Sequence, residues 1–106
     1  MGFFDLSKRA DIGRDVREYR ATPGALLLDV RTPEEYRSVR IPGSVNVPLQ
    51  SIADVAGMAG GRATPIFVCC QSGARSCAAA RMLRQMGYEN MKDIGGVCAY
   101  RGALEI

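Results

Sequence analysis

Two unbroken apolar runs, ALLLDV at 25–30 and PIFVC at 65–69, constrain the fold of this chain more than any other feature. A strand with one wet face alternates apolar and polar residues. A run of strand length without alternation must be covered on both faces, as in a parallel sheet with crossover helices packed on either side. Helix signals stand where such crossovers would be needed. Asp11 is placed to cap a helix over about 12–20, with Ile12, Val16 and Tyr19 on one face. Thr32, Pro33 and Glu35 spell a capping box that opens a short helix over 33–38. A second short helix is expected over 49–56, with Leu49, Ile52 and Val55 inward. An alanine-rich helix should open at Arg75 and end at Gly87, which is placed as a left-handed C-cap.

Ser44 to Val47 and Met91 to Ile94 read as two further short strands, and Gly95-Gly96 should open a final helix reaching about Tyr100. Strands alternating with helices give an α/β sandwich with a mainly parallel sheet. At 106 residues the whole chain, 1–106, is one domain. Residues 1–10 are expected as an irregular or extended lead-in anchored by Phe3, Phe4 and Leu6.

The net charge of +3 is spread over the chain with acids interleaved, so neither nucleic-acid nor membrane-surface binding is expected. No apolar run approaches the roughly 20 residues that cross a bilayer. Asp5 and the lack of a small-residue cleavage site argue against an export signal, and Leu6 stands where a myristoylation motif needs Ser or Thr. A cytoplasmic protein is the expectation. Four cysteines, at 69, 70, 77 and 98, suit no disulfide framework in such a chain. They lack paired C-x-x-C spacing and the chain has no histidine, so no metal site is expected.

The second apolar run leads into Cys70, Gln71, Ser72, Gly73, Ala74 and Arg75, a tight loop between strand and helix. In open parallel sheets ligands collect at the carboxyl ends of strands, which is where Cys70 and the Asp29-Val30-Arg31 step both fall. Gly73 permits a backbone turn that aims successive N–H groups at one point, and the first turn of the helix adds its own unpartnered N–H groups. Such a cradle favours an anion, and a thiolate is one. Activation of Cys-His type is excluded in a chain without histidine. Cys70 is therefore the candidate nucleophile, with the N–H groups from Gln71 to Ser76 as the anion cradle. Arg75 would supply a charge that holds the loop or a donor, and the Ser72 and Ser76 hydroxyls would add hydrogen bonds.

Other readings stand beside this one. Cys70 could be a small buried residue next to an ordinary helix start. Counted from Cys69, the spacing to Arg75 is the C-x5-R of cysteine-dependent phosphatases and arsenate reductases, although Ser72 and Val68 depart from that pattern. Strand alternation points Cys69 and Cys70 to opposite faces, so only one of them can face the cradle. Asp29 and Arg31 read as a structural ion pair joined by Glu34 or Glu35, with donor binding as the alternative. Cys77 reads as a small buried residue, with disulfide resolution as the alternative. Cys98, Met82, Leu83 and Met86 are assigned to the core, while Arg81 and Arg84 are assigned to solvent.

Three segments together resemble one family. Leu27 to Pro48, LLDVRTPEEYRSVRIPGSVNVP, is similar to the first signature of the single-domain rhodaneses, which are sulfurtransferases; Val68 to Ser76, VCCQSGARS, resembles their active loop, and Gly87 to Gly102, GYENMKDIGGVCAYRG, their closing segment. The resemblance implies a rhodanese-like three-layer sandwich, with a five-stranded, mainly parallel sheet between helices. It implies Cys70 as catalytic residue and Gln71, Ser72, Gly73, Ala74, Arg75 and Ser76 as the substrate-binding loop. The implied reaction takes a sulfane sulfur from a small anionic donor such as thiosulfate, holds it as a Cys70 persulfide, and passes it to cyanide or a thiol, protein thiols included. No cofactor is expected. Arg40 stands where members commonly carry His, and Tyr100 where they often carry Trp. A rhodanese-like binding or regulatory module is the non-enzymatic alternative.

Overall fold

A computed structural model describes residues 11–106 of the chain, so the expected lead-in over 1–10 lies outside the described residues. In chain order the elements are α1 (Ile12–Arg20), β1 (Leu26–Asp29), α2 (Pro33–Ser38), β2 (Val45–Asn46), a 3₁₀ segment (Leu49–Gly57) kinked at Ser51, β3 (Ile66–Cys70), α3 (Ala74–Gln85), β4 (Met91–Gly96) and a 3₁₀ turn (Val97–Ala99). The strands lie in the order β2-β1-β3-β4, all parallel. The described residues thus hold four strands rather than the five implied by the resemblance. The count covers residues 11–106, where β2 is reduced to two residues, Val45–Asn46, at the edge of the sheet.

The local rules act where the residue types place them. Asp11 Oδ1 accepts the Arg14 N–H at 2.9 Å and so caps α1. The capping box of α2 is complete: the Glu35 N–H donates to Thr32 Oγ1 at 3.2 Å, and the Thr32 N–H donates back to Glu35 Oε1 at 2.9 Å. Gly87 takes φ +99° just past the end of α3, as the sequence requires.

Burial on both faces explains why the two long apolar runs do not alternate. Leu28, Val30, Ile66, Val68 and Cys70 face one way, against Ile52 and Val55 of the first 3₁₀ segment and Ala79 and Leu83 of α3. Leu27, Phe67, Cys69 and Ile94 face the other way, against Ile12 and Val16 of α1 and Val97. Helix, sheet and helix therefore form three layers. Fully burying each of these aliphatic side chains is worth about 1.5–3 kcal/mol.

Three residues depart from their assigned places. Cys77, Cys98 and Met82 are exposed rather than core, Met82 at 38%. Cys77 and Met82 lie on the outer face of α3, because Ala79, Ala80 and Leu83 already supply its inward stripe. Cys98 sits in a turn of only three residues that buries Val97 alone. Leu83 is fully buried and Met86 packs at the edge of the core, while Arg81 and Arg84 are exposed as expected.

Candidate active site

Cys70 is the last residue of β3, and the next three residues turn the chain through the loop into α3. The turn depends on Gly73, whose φ of +116° is a conformation that a side chain with Cβ resists. With the backbone so turned, the Gly73 N–H donates to Cys70 Sγ at 3.0 Å, and Ser76 Oγ lies 3.5 Å from the same sulfur. The N–H groups of Arg75 and Ser76, in the first turn of α3, also point at the sulfur.

Burial alone would push the Cys70 thiol up, and it is the largest single influence on it. The hydrogen bonds from the Ser76 side chain and from the Ser76, Gly73 and Arg75 N–H groups together outweigh that effect, so the thiol lies below its ordinary value. Cys69 shows the contrast. It is fully buried in the opposite face of the sheet, and burial, reinforced by the Asp29 charge, pushes its thiol well above the ordinary range. The register of C-x5-R therefore starts from a sulfur that faces away from the loop.

The remaining loop residues divide between rim and support. Ser72 and Ala74 are exposed on the rim. Gln71 is held from two sides: its carbonyl accepts the Cys98 N–H at 3.1 Å, and its Oε1 accepts Arg31 Nη1 at 3.2 Å. Arg31 is 1% exposed and pairs with Asp29, Nη2 to Oδ2 at 2.7 Å, while the same nitrogen donates to the Val39 carbonyl at 2.7 Å. The structural reading of Asp29 and Arg31 thus holds. Their further partners are Gln71 and Val39, and not Glu34 or Glu35.

Glu35 belongs instead to Arg75. The guanidinium donates to both carboxylate oxygens, at 2.8 and 3.0 Å, and this pair with the Thr32 N–H holds the Glu35 carboxyl down to about 2. The side chain of Arg75 therefore fastens the loop to α2, and its charge is already matched by a carboxylate.

Two features were not visible as site residues in the sequence. Asp93 on β4 places Oδ1 2.7 Å from Ser76 Oγ and accepts the Gly95 N–H at 3.0 Å. Gly96 lies beside Cys70 because a β-bulge after Asp93 shifts the register of β3 and β4. A Cβ at Gly96 would meet the Gln71 carbonyl oxygen and, at 2.6 Å, the Ser72 Cα, so the close approach of the closing segment requires glycine there. The Gly95-Gly96 pair was the only signal, and it read as a helix start. A cavity of about 450 Å³ lies elsewhere, between α1 and Tyr100, Arg101 and Gly102, and touches none of the loop.

Comparison with known proteins gives consistent results. Residues 14–102 match the model of the rhodanese-like domain. The chain is 31% identical over 71 residues to thiosulfate sulfurtransferase PspE of Escherichia coli, covering 66% of this chain and 68% of that protein. It is 35% identical over 91 residues to the adenylyltransferase and sulfurtransferase uba4 of Ogataea parapolymorpha, covering 85% of this chain but only 23% of that longer protein. Among solved structures, a rhodanese with anions from E. coli superimposes with a TM-score of 0.72 at 27% identity, covering 76% of this chain and 96% of that one.

Proposed function

This chain belongs to the rhodanese-like domain family, and from that premise we propose that it is a sulfurtransferase working through a persulfide on Cys70. The observation that carries the reading is the ring of donors around one sulfur, the N–H groups of Gly73, Arg75 and Ser76, with the Ser76 hydroxyl 3.5 Å away and able to turn its proton to a thiolate. Such a ring stabilises a thiolate before the reaction and a persulfide anion after it. It needs no histidine and no cofactor.

In the first half-reaction the Cys70 thiolate attacks the outer sulfur of thiosulfate. The sulfur–sulfur bond of the donor breaks and sulfite leaves with the bonding pair, while the new Cys70 persulfide keeps the single negative charge. In the second, cyanide or a thiolate attacks the outer sulfur of the persulfide, and Cys70 is released as thiolate. The two steps make a ping-pong cycle. Cys70 is only 1% exposed, which favours a slender donor whose terminal sulfur enters the loop end-on. Gln71, Ser72 and Ala74 would contact such a donor at the rim. Arg75 acts by holding the loop, since Glu35 already neutralises it. The reaction needs Cys70 reduced, which fits the reducing conditions of a cytoplasm.

The test is intact mass followed by peptide mapping after reduced protein meets thiosulfate. A gain of about 32 daltons on Cys70, removed by cyanide and abolished in Cys70→Ser, is expected for the covalent intermediate. No gain with thiosulfate or with low-molecular-weight persulfides, or a gain at another cysteine, would sink the proposal.

A further inference from the structure

Ser76 stands between groups that compete for its single proton. Its Oγ lies 2.7 Å from Asp93 Oδ1, 3.0 Å from the Gly73 carbonyl oxygen and 3.5 Å from Cys70 Sγ. A hydroxyl has one proton to donate and two lone pairs, and a carboxylate only accepts. The bond to Asp93 is the shortest of the three and is charge-assisted, so it holds the proton while Cys70 is a thiol. The hydroxyl then turns a lone pair to the sulfur, which suits an S–H donor and does not suit a thiolate. When Cys70 ionises, Ser76 must swing its proton from the carboxylate to the sulfur. Asp93 is exposed and still accepts the Gly95 N–H at 3.0 Å, so water can replace what it gives up.

We propose that Asp93 is a positioning residue for Cys70, acting through Ser76: by competing for the Ser76 proton it limits how readily the sulfur ionises. The inference rests on the sulfurtransferase reading for its purpose. A thiolate held too firmly is a weak nucleophile, because nucleophilicity falls with pKa, and Asp93 keeps this one from being over-stabilised. The other charged groups around the loop are Arg75 from α3, whose charge acts on Cys70, Glu35 from α2, which Arg75 grips, and Asp29 and Arg31 from β1, whose charges act on Cys69 on the opposite face of the strand. The first 3₁₀ segment presents Leu49, Ile52 and Val55, none of them titratable, to the core cluster that holds Cys70. Asp29 and Arg31 form one ion pair, and Glu35 and Arg75 form another. Among the described residues, Asp93 is the carboxylate near the sulfur that has no ion-pair partner.

The competition predicts opposite effects at two neighbouring positions. The Cys70 pKa is read from the pH dependence of alkylation at that residue, located by peptide mass. Ser76→Ala removes the donor and should raise the pKa by about one unit, roughly tenfold less thiolate at a lower pH, the size of one charge-assisted hydrogen bond. Asp93→Asn frees the Ser76 proton for the sulfur and should lower the pKa by about half a unit, roughly threefold more thiolate. Asp93→Ala, at an exposed position, should shift it in the same direction and gives that sign independently of the buried Ser76 change. The double variant Ser76→Ala with Asp93→Asn should match Ser76→Ala alone, since Asp93 then has nothing to act through. A rise or no change in either Asp93 variant overturns the proposal, and so does an Asp93→Asn effect that survives in the double variant. Alkylation needs no sulfur donor, so this pattern stands or falls independently of whether a persulfide forms.

Discussion

Arg75→Ala separates a cation that serves the reaction directly from one that fastens the loop. The native guanidinium donates to both oxygens of Glu35, at 2.8 and 3.0 Å, with side-chain exposures of 35% and 33%. Glu35 ionises at about 2 in the folded protein against an ordinary value of 4.5, with Arg75 the largest cause and the Thr32 N–H the second. Taken whole, that depression would set a ceiling of about 3 kcal/mol, and solvent at a one-third exposed pair reduces it to about 1–2 kcal/mol. The contribution is fully present above 4.5 and is lost as pH falls through about 2. Stability of native protein and variant, measured by urea denaturation at neutral pH and in steps down to about 3, should therefore differ most at neutral pH and converge on acidification. In a thermal melt at neutral pH the loss should appear as a fall of about 4–8 °C for each kcal/mol. Sulfur transfer should fall with the misplaced loop, and Cys70 should still form its persulfide. A stability gap that stays constant or widens as pH falls would refute the reasoning, because it would mean that the ionised Glu35 carboxylate is not what Arg75 holds.

The remaining predictions concern the frame. Arg31→Met leaves Asp29 buried and unpaired and frees Gln71, so urea denaturation should show a loss of about 3–5 kcal/mol, and a loss below 1 would contradict the assigned network. Gly96→Ala forces a methyl group against the Gln71 carbonyl and the Ser72 Cα; a destabilisation of about 1–3 kcal/mol with markedly slower persulfide formation is expected, and a normal rate would show that the closing segment does not shape the loop. Cys69→Ala should cost about 1 kcal/mol and leave the Cys70 persulfide yield unchanged, whereas loss of the persulfide would return the site to the register counted from Cys69.

How much of this was legible beforehand differs from element to element. The capping box of α2, the Asp11 cap, the burial of both faces of β1 and β3 and the opposite facing of Cys69 and Cys70 all depend on residues within a few positions of one another. Hydrogen bonds to the adjacent backbone and strand alternation are local effects, so residue order alone carries them. Cys77 and Met82 were misplaced because an alanine-rich helix gives a weak inward stripe, and the choice of buried face falls to the sheet it packs on.

The sequence by itself determined that a cysteine would end a buried parallel strand and be followed by a tight, glycine-turned loop opening a helix, because every step of that order is a short-range preference of the chain. Only the tertiary structure decided which groups surround the loop. Glu35 reaches Arg75 from 40 positions away, Asp93 reaches Ser76 from 17, and Gly96 meets Gln71 through a bulged pairing of β3 with β4. Such contacts depend on how parallel strands align and where crossover helices land, and no local spacing encodes that alignment. Strand and loop chemistry supplies the cysteine and the N–H groups around its sulfur; packing supplies the residues that hold the loop in place.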